Sequence, residues 1–562
     1  MITKRNKRRD LSALGLIVLI LILINVICSF LFHRFDLTSE KRYTLADATK
    51  KLVSGLDDIV YVKVYLEGDF PAGFKQLRNE TKEMLDEFRI YSNDNIEYEF
   101  INPSENPDKK QQDEVFKQLA GKGLQPFNVE NKTERGTSQQ LIWPGAIVSY
   151  KGRECPWLLL KTQLTLSAEA QLNNSVQALE YEFASCIRNL TLNAKPAIGF
   201  ISGHGELDTL QTWDIAHALN EFYTTKYINI NEQMHALDGL KAIVIAKPDT
   251  AFSEKDKFII DQYVMKGGKV LWAIDPLNTN MDTLVRKSFT IAVPYDLKLE
   301  DMLFRYGVRI NPNMILDLQS SVIPVNRSMT KQPRFEPMPW IFAPLVTPTS
   351  KHPITKNLDL IKLEYVASMD TVEAKTVNKT VLLQSSRYSK INTAPVRVFL
   401  QTALLQPDEQ RFTDSYKPVA LLLEGEFESV FKNRVPPKME GEPVRKPKLQ
   451  SVQTKMIVIS DGDILRNEIQ YSTRKPLPLG YDQFTNQTYG NKNFILNCIN
   501  YLCDDSGLIS VRARELTLRL LDRKKIKNES FKWKTINTLL PLVSIALIGV
   551  IIFIIRKRKY AR

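Results

Sequence analysis

Residues 11–32 read LSALGLIVLILILINVICSFLF, an uncharged run built largely of Leu, Ile and Val. At about 1.5 Å of rise per residue, a helix of this length spans the ~30 Å hydrocarbon core of a bilayer. The five basic side chains of residues 1–10 predict a cytoplasmic N-terminus, so that the following chain begins on the far side of the membrane. A cleaved signal peptide is the alternative, but the run is long for one and no small-residue cleavage site follows. We therefore predict an uncleaved transmembrane helix over residues 11–32.

A second apolar run, residues 536–555, lies near the other end of the chain. The tail that follows it, residues 556–562, carries five basic side chains and predicts that the C-terminus is cytoplasmic as well. Pro541 is expected in the first turns of this helix, where a missing N–H is tolerated. The sequence thus predicts two transmembrane helices that flank one large extracytoplasmic body, with a membrane-proximal segment over residues 506–535.

The net charge of +13 lies mostly at the two ends of the chain. Residues 1–10 carry a net +4 and residues 556–562 a net +5, which leaves +4 for everything between them. Because this basicity follows the positive-inside pattern of membrane proteins, it does not indicate a nucleic-acid partner. Apolar residues (43%) and charged residues (25%) occur at ordinary frequencies for folded protein, and a body of about 500 residues predicts two or three domains.

The five cysteines of the chain show no recognisable framework. Cys28 lies in the first apolar run, which leaves four outside it: Cys155, Cys186, Cys498 and Cys503. Their spacing matches neither a disulfide scaffold nor a metal site, although an oxidising compartment would allow a bridge. We expect them to be buried as small hydrophobic side chains.

Residues 35–193 alternate between helical and strand patterns. Helices are predicted over 46–56, 76–91, 113–120 and 172–192, and strands over 59–66, 96–101, 140–143, 146–150 and 157–160. This alternation predicts a first α/β domain.

Residues 195–505 show a second α/β pattern. Apolar strands are predicted over 197–202, 241–246, 269–274 and 455–459, with helices over 213–222, 254–265 and 491–502. Strands that are apolar throughout are buried on both faces, and the pattern is similar to glutamine-amidotransferase-like or flavodoxin-like parallel sheets, with the strand at 455–459 closing the sheet. Two Pro-rich insertions interrupt the domain: about 324–353, predicted to be an ordered loop or partner-contacting arm, and about 433–449, predicted to be mobile.

The candidate site lies at the carboxyl ends of these strands, the edge where parallel sheets bind ligands. It comprises Gly203, His204, Gly205 and Glu206 after one strand, and Asp461 and Asp463 after another. Glycines let the backbone approach a ligand, and His204 and Glu206 have the side chains of a base and its orienting acid. The alternative is that the glycines make the turn while both side chains only hydrogen-bond neighbouring loops. A Ser or Cys nucleophile is missing, since Lys247-Pro248-Asp249 stands where the elbow is needed, so we assign no catalytic residue.

Cofactor and metal sites are not indicated. A nucleotide-binding ATPase needs Gly-x-x-x-x-Gly-Lys-Ser/Thr after a strand, and the sequence has no such run. The histidines are scattered, and none forms a close pair with a second metal ligand. The sequence therefore predicts no cofactor, no metal and no ATP hydrolysis, and any pore or ATPase must belong to partners.

Several short motifs follow one another along nearly the whole chain. They include VYLEGDFPAGF (64–74), WPGAIV (143–148), LEYEF (179–183), GHGE (203–206) and KWKTINTLLP (532–541). This ordered set resembles the gliding-motility-associated ABC-transporter auxiliary proteins, the GldG family. The resemblance implies a substrate-binding-like protein of the bacterial inner membrane, with a periplasmic body, that works beside a separate ABC permease and a separate ABC ATPase, and with an envelope or motility-machinery protein as a further partner.

These observations favour a non-enzymatic, two-span subunit of a transporter complex. Two rival classes stay open. One is an envelope receptor that binds a small ligand or glycan and depends on Gly205 and Asp461. The other is an envelope hydrolase that acts through His204 and Glu206.

Overall fold

The computed structural model describes residues 4–30, 44–105, 108–133, 136–163, 166–192, 194–328, 334–349, 351–439, 446–470, 472–513 and 523–560. The fold is mixed α/β, as predicted. Residues 1–514 form one compact unit and residues 515–562 form another. Helix α1, Lys4–Phe30, contains the first apolar run, and its side chains are exposed from residue 11 to residue 26. Leu11–Val26 is a short apolar helix; residues 31–32 of the predicted span lie outside the described residues.

The first sheet and its helices follow. In chain order the elements are α2 (Asp47–Val53), β1 (Val60–Val64), α3 (Ala72–Tyr91), β2 (Ile96–Phe100), α4 (Lys109–Gly121), β3 (Phe127–Thr133), β4 (Gly136–Ile142), β5 (Gly145–Tyr150), β6 (Arg153–Leu158) and α5 (Ala168–Thr191).

Four of these strands form a mixed sheet in the order β2-β1-β5-β6. Strand β1 runs parallel to β2 and antiparallel to β5, and β5 and β6 are antiparallel. Val60, Val62 and Val64 are buried at every second position of β1, as a half-buried strand requires, and helices α3 and α5 pack together on the sheet. The predicted elements are present, but β6 begins at Arg153 and ends at Leu158, earlier than the 157–160 predicted from its apolar residues.

The next elements run from β7 to β10. They are β7 (Ala197–Ser202), α6 (Trp213–Leu219), β8 (Thr224–Asn229), β9 (Leu240–Ala246), α7 (Glu254–Met265) and β10 (Lys269–Ala273). Helix α7 has the predicted bounds, and Ser253 caps it because its hydroxyl accepts the Asp256 N–H at 3.1 Å. Strand β8 was not predicted, because most of its residues are polar or exposed.

The remaining elements of this unit are mostly short strands. They are β11 (Leu277–Asn278), α8 (Met281–Lys287), β12 (Phe289–Pro294), α9 (Glu300–Tyr306), β13 (Val308–Ile310), β14 (Asn313–Asp317), β15 (Ser320–Asn326), β16 (Phe335–Val346), β17 (Ile361–Lys362), β18 (Met369–Thr371), β19 (Val377–Gln384), β20 (Ser389–Thr393), β21 (Val396–Phe399), β22 (Pro418–Gly425), β23 (Thr454–Ile459), β24 (Tyr481–Asp482), β25 (Gln487–Thr488) and α10 (Asn491–Cys503).

The second sheet has seven strands in the order β19-β22-β23-β10-β9-β7-β8. Strands β8, β7, β9, β10 and β23 are parallel, and numbered among themselves they follow the 2-1-3-4-5 order of flavodoxin-like sheets. The prediction of a purely parallel sheet closed by 455–459 is wrong, because β22 and β19 extend the sheet antiparallel beyond β23. Antiparallel neighbours need no crossover helix, so the strand–helix alternation that the prediction rested on ends after β10.

Both faces of this sheet are covered, as its apolar strands predicted. In β9, Val244 contributes to the core on one face, and Ile243 and Ile245 contribute to the core on the other. Helices α6 and α10 pack on the first face and α7 on the second. The carboxyl ends of the parallel strands therefore project from a rigid, doubly covered layer.

The first Pro-rich insertion, about 324–353, contains a β-hairpin, so the loop alternative is wrong for residues 324–326 and 335–346, while the partner-contacting arm stays a prediction. Strands β15 and β16 pair antiparallel, with Pro324 opposite Pro337 and Val322 opposite Pro339. Among the described residues, only 345–346 of β16 also pair with β17, so within that part of the chain the rest of this side of β16 is an edge, where prolines are tolerated. Trp340 and Phe342 are buried and pack against each other at 4.8 Å between ring centroids. Residues 440–445 of the second insertion lie outside the described residues.

The last unit contains helix α11, Arg523–Tyr560. Among the described residues, its segment Glu529–Arg558 is long and apolar enough to cross a membrane. The helix begins well before residue 536, so Pro541 lies in its interior and not in its first turns as predicted. Residues 514–522 of the predicted membrane-proximal segment are outside the described residues, and residues 523–535 belong to the helix.

Candidate functional site

The predicted site residues lie at the carboxyl edge of the second sheet, after β7 and β23. In the 2-1-3-4-5 order, β8 lies on one side of β7 and the later parallel strands lie on the other side, so the order of the strands changes direction between β7 and β9. Open α/β sheets form a ligand crevice at such a switch point. The loop after β7 holds Gly203, His204, Gly205 and Glu206. The predicted residues therefore lie at the edge of the sheet where the sequence analysis expected them.

His204 is buried, and both of its ring nitrogens are held by carboxylates. Its Nδ1 lies 3.1 Å from Glu206 Oε1, and its Nε2 lies 3.1 Å from Asp256 Oδ2. The ring also stacks on Phe252, with 3.8 Å between centroids and 12° between planes. Burial alone would lower the pKa of His204, but the hydrogen bonds to Asp256 and Glu206 outweigh it and raise the pKa to about 9. A protonated imidazole with both N–H groups engaged cannot act as a general base.

Both carboxylates beside His204 have further donors. Glu206 Oε2 accepts the backbone N–H of His204 at 2.6 Å. Asp256, in the first turn of α7, accepts the Glu232 N–H at 2.9 Å through Oδ1 and the Ser253 hydroxyl at 3.1 Å through Oδ2. We call His204, Glu206 and Asp256 the His204 group. It ties the loop after β7 to the start of α7.

The loops after β7 and β9 are also hydrogen-bonded to each other across the switch point. The N–H groups of Asp249 and Thr250 both donate to the His204 carbonyl at 3.0 Å, and the Leu207 N–H donates to the Ala246 carbonyl at 3.0 Å. Gly205 has φ = +76°, and a Cβ there would lie 1.6 Å from Asp249 Oδ1, so only glycine fits. The two loops that would bound a crevice are thus in direct contact.

Asp461 and Asp463 belong to a second polar group, centred on Lys247. Lys247 Nζ lies 2.9 Å from Asp275 Oδ2 and also contacts Asp463. Although burial opposes its charge, Asp275 and Asp463 raise the pKa of the Lys247 ammonium group. The Gly462 N–H donates to Asp275 Oδ1. We call Lys247, Asp275, Asp461 and Asp463 the Lys247 group; its members follow β9, β10 and β23.

Asp461 is fully buried and has spare hydrogen-bonding capacity. Its Oδ2 accepts the Glu364 N–H at 2.8 Å, whereas its Oδ1 and the Oδ1 of Asp463 have no hydrogen-bond partner among the residues that the structure describes. Burial, and then the nearby Asp275 and Asp463, raise the pKa of Asp461 well above its usual range. Burial likewise raises the pKa of Asp275, to about 6, against the opposing effect of Lys247.

The structure thus divides the six predicted residues between two groups. Gly203, His204, Gly205 and Glu206 form one side with Asp256, and Asp461 and Asp463 form the other with Lys247 and Asp275. The β9 loop lies between them, because Lys247 belongs to one group and Asp249 contacts the other.

Sequence reasoning assigned no site role to Lys247, Asp256 or Asp275. Lys247 directly follows the apolar strand β9, and Asp275 lies two residues after the end of β10. A position just after an apolar strand is the same signal that singled out Gly203 and Asp461. Asp256 carried no such signal, because it lies inside a helix. Among the described residues no group of three His, Cys, Asp or Glu side chains is placed to hold a metal ion.

The chain matches a known family over more than half of its length. Residues 195–498 match the family described as an ABC-type uncharacterized transport system, whose members are ABC-transporter auxiliary proteins. The chain belongs to this family. Residues 39–149 of this ABC-transporter auxiliary protein also match a family described as a domain of unknown function.

Individual relatives of the auxiliary protein are distant. It is 19% identical to an uncharacterized protein of Borreliella burgdorferi, and the match covers 99% of both chains. Among solved structures, the N-terminal domain of mmIFT52 is similar with a TM-score of 0.32 and 12% identity, over 55% of this chain and 97% of that one. A ThuA-like protein from Parabacteroides merdae is similar with a TM-score of 0.24 and 7% identity, over 55% of this chain and 90% of that one.

Proposed function

We propose that this ABC-transporter auxiliary protein is a non-enzymatic, substrate-binding-like subunit of a complex associated with gliding motility, and that it works with a separate permease and a separate ATPase. Family membership supports the transport role. The ordered motifs from residue 64 to residue 541 support the link to gliding motility.

The observation that carries the non-enzymatic assignment is the engagement of His204. Its two nitrogens bind Asp256 and Glu206, its ring stacks on Phe252, and the loops around it are hydrogen-bonded to each other. A general base needs an unprotonated nitrogen that faces the reacting proton, whereas both His204 nitrogens face carboxylates. The hydrogen bonds of the His204 group instead hold together the loops at this edge of the sheet.

We further propose that the chain is a two-pass protein of the bacterial inner membrane, with both termini in the cytoplasm and the body in the periplasm. The apolar stretch of α1, the long apolar segment of α11 and the basic flanks of both support this topology. In the body we propose two α/β domains, residues 35–193 and 195–505, each built around one sheet. The family matches to residues 39–149 and 195–498 agree with that division.

Co-purification tests the proposal. The tagged full-length chain, solubilised in mild detergent from its own cells, should bring down one ABC permease and one ABC ATPase in a constant ratio. The control is the same tagged chain from cells that lack the permease, which should lose both partners. Recovery of the chain alone from wild-type cells would contradict the proposal.

A receptor for a small ligand or glycan is the second candidate function. It is favoured by the buried Asp461 Oδ1, which has no hydrogen-bond partner among the described residues and could accept one from a ligand. The buried Asp463 Oδ1 also lacks a hydrogen bond there, although Arg466 Nη1 lies 3.6 Å from it. A receptor would bind its ligand saturably and lose binding in Asp461→Asn. Calorimetric titration of the full-length chain with a panel of sugars and amino acids tests this; heats no different from buffer across the panel count against it.

A further inference from the structure

Two thiols face each other between β6 and α5. Cys155 lies on β6 and Cys186 on α5, and their Sγ atoms are 2.7 Å apart. Both sulfurs also lie near the Pro156 carbonyl oxygen, at 3.7 Å and 3.6 Å. The S–S bond of a disulfide is ~2.05 Å long, so a shift of well under one ångström would join them.

The packing of α5 on β6 holds the pair in register. Cys155 and Trp157 share one face of β6 because side chains alternate along a strand, and Cys186 and Phe183 share one face of α5 because they are three residues apart. Trp157 and Phe183 stack at 4.8 Å between ring centroids. This neighbouring contact fixes the helix against the strand beside the two thiols.

We propose that Cys155 and Cys186 form a disulfide bond in the mature protein. The bond would pin β6, the edge strand of the first sheet, to the helix that leads into the second sheet. This inference rests on the periplasmic location in the proposed function, because that compartment favours disulfides and the cytoplasm does not.

The chemistry requires a partner oxidant, and we infer a protein or small-molecule disulfide. Cys155 is partly exposed and Cys186 is buried, so the Cys155 thiolate attacks one sulfur of the oxidant's disulfide. The oxidant's S–S bond breaks, one of its sulfurs leaves as a thiolate, and the other stays bound to Cys155 as a mixed disulfide. The Cys186 thiolate then attacks Cys155 Sγ and releases the oxidant as a thiol. Two protons leave the protein, and the oxidant takes up the two electrons.

The other two cysteines of the body provide an internal comparison. Cys498 and Cys503 lie five residues apart on α10, and Cys498 is fully buried. No sulfur–sulfur contact joins them in the described part of the chain. We therefore expect both to stay reduced under conditions that oxidise the first pair.

The test is acid quenching of intact cells, alkylation of the full-length chain in denaturant so that buried thiols also react, and then non-reducing peptide mapping. With the bond present, three of the five cysteines react before reduction and all five react after it. The mapping should recover one cross-linked species joining the peptides of Cys155 and Cys186. Cys155→Ala should remove this species and Cys503→Ala should leave it.

A second arm separates failure of the pairing from failure of the proposed location. The reduced, purified chain is incubated with oxidised glutathione and mapped in the same way. The cross-link could form with glutathione while both thiols are free in the chain taken from cells. In that case the bond does not exist in the cell, and the periplasmic location is contradicted as well. If the cross-link does not form in this arm, the pairing itself is wrong, whatever the location of the body.

Discussion

The His204 group and the Lys247 group lie at the same edge of the second sheet, but they differ in how fully their polar atoms are used. In the His204 group, both ring nitrogens and all four carboxylate oxygens have hydrogen-bond partners. In the Lys247 group, two buried carboxylate oxygens have none among the described residues. The motif that stands out in the sequence is therefore the one whose polar atoms are all hydrogen-bonded, and the two oxygens without a hydrogen bond belong to the less conspicuous group.

The largest expected effect comes from Lys247→Met, which leaves the buried Asp275 and Asp463 without their shared cation. Removing one partner of a buried ion pair costs about 3–5 kcal/mol. Urea unfolding of the detergent-solubilised chain, followed by tryptophan fluorescence, measures the loss. The control is Lys266→Met, whose partner Asp238 lies at 3.5 Å with both side chains more than half exposed, and it should cost under about 1 kcal/mol. Equal small losses in the two variants would show that Lys247 does not hold the group together.

His204→Asn sharpens the comparison through pH. The folded pKa of His204, about 9, lies above the unfolded value of 6.5, so the stabilisation is complete below pH 6.5 and is lost as pH rises through 9. A shift of this size corresponds to on the order of 3 kcal/mol. The free energy of unfolding should fall over this pH range in the wild type and in His235→Asn, whose exposed histidine pairs with Asp238. If the free energy of unfolding of His204→Asn fell with pH as steeply as that of the wild type, the raised pKa would not belong to His204.

Gly205→Ala tests whether the loops after β7 and β9 are in contact. The change adds left-handed backbone strain and a clash with Asp249, and we expect a loss of about 2–3 kcal/mol. Gly239 is the matched control: its φ is +77°, but a Cβ there would meet nothing within 4 Å, so Gly239→Ala should cost only about 1 kcal/mol. The difference between the two variants measures the loop contact, and no difference would mean that the crevice is open.

The smallest effect is expected for Asp461→Asn. Burial raises the pKa of the Asp461 carboxyl group, and its Oδ2 accepts the Glu364 N–H, a bond that an amide oxygen can also accept. We therefore expect the amide to cost under about 1 kcal/mol. Asp275→Asn should cost more, since Asp275 is an ionic partner of Lys247. Both are measured by the same urea titration. A larger loss for Asp461→Asn than for Asp275→Asn would mean that Asp461 is the charged member of the group.

The sequence predicted the strands of the sheet edge because buried parallel strands are apolar throughout, as in β7, β9 and β10. It failed at β8, whose side chains are mostly polar or exposed, and at the hairpin of β15 and β16, where prolines concealed an edge pairing. It also missed β19 and β22 as extensions of the sheet, since pairing between strands far apart in sequence leaves no local pattern.

For the site, the positions of the strand ends predicted which loops lie close together. They did not predict which atoms of those loops make contact. The pairing of His204 with Asp256 depends on a helix 52 residues later in the chain, and no spacing rule connects the two. The contact between Cys155 and Cys186 is similar, because it depends on the facing sides of a strand and a helix. Partners of this kind become visible only when the elements are packed.

The central claim is that the His204 group has a structural role and not a catalytic one. One measurement tests this claim most directly. The double variant His204→Asn/Glu206→Gln is expressed in cells that lack the natural chain, and the process abolished by that deletion is quantified per folded chain recovered with the permease and ATPase. The account predicts that function per assembled complex equals that of the wild type, even if fewer chains fold. Normal folding and normal assembly with function abolished would contradict it and assign the reaction to His204 and Glu206.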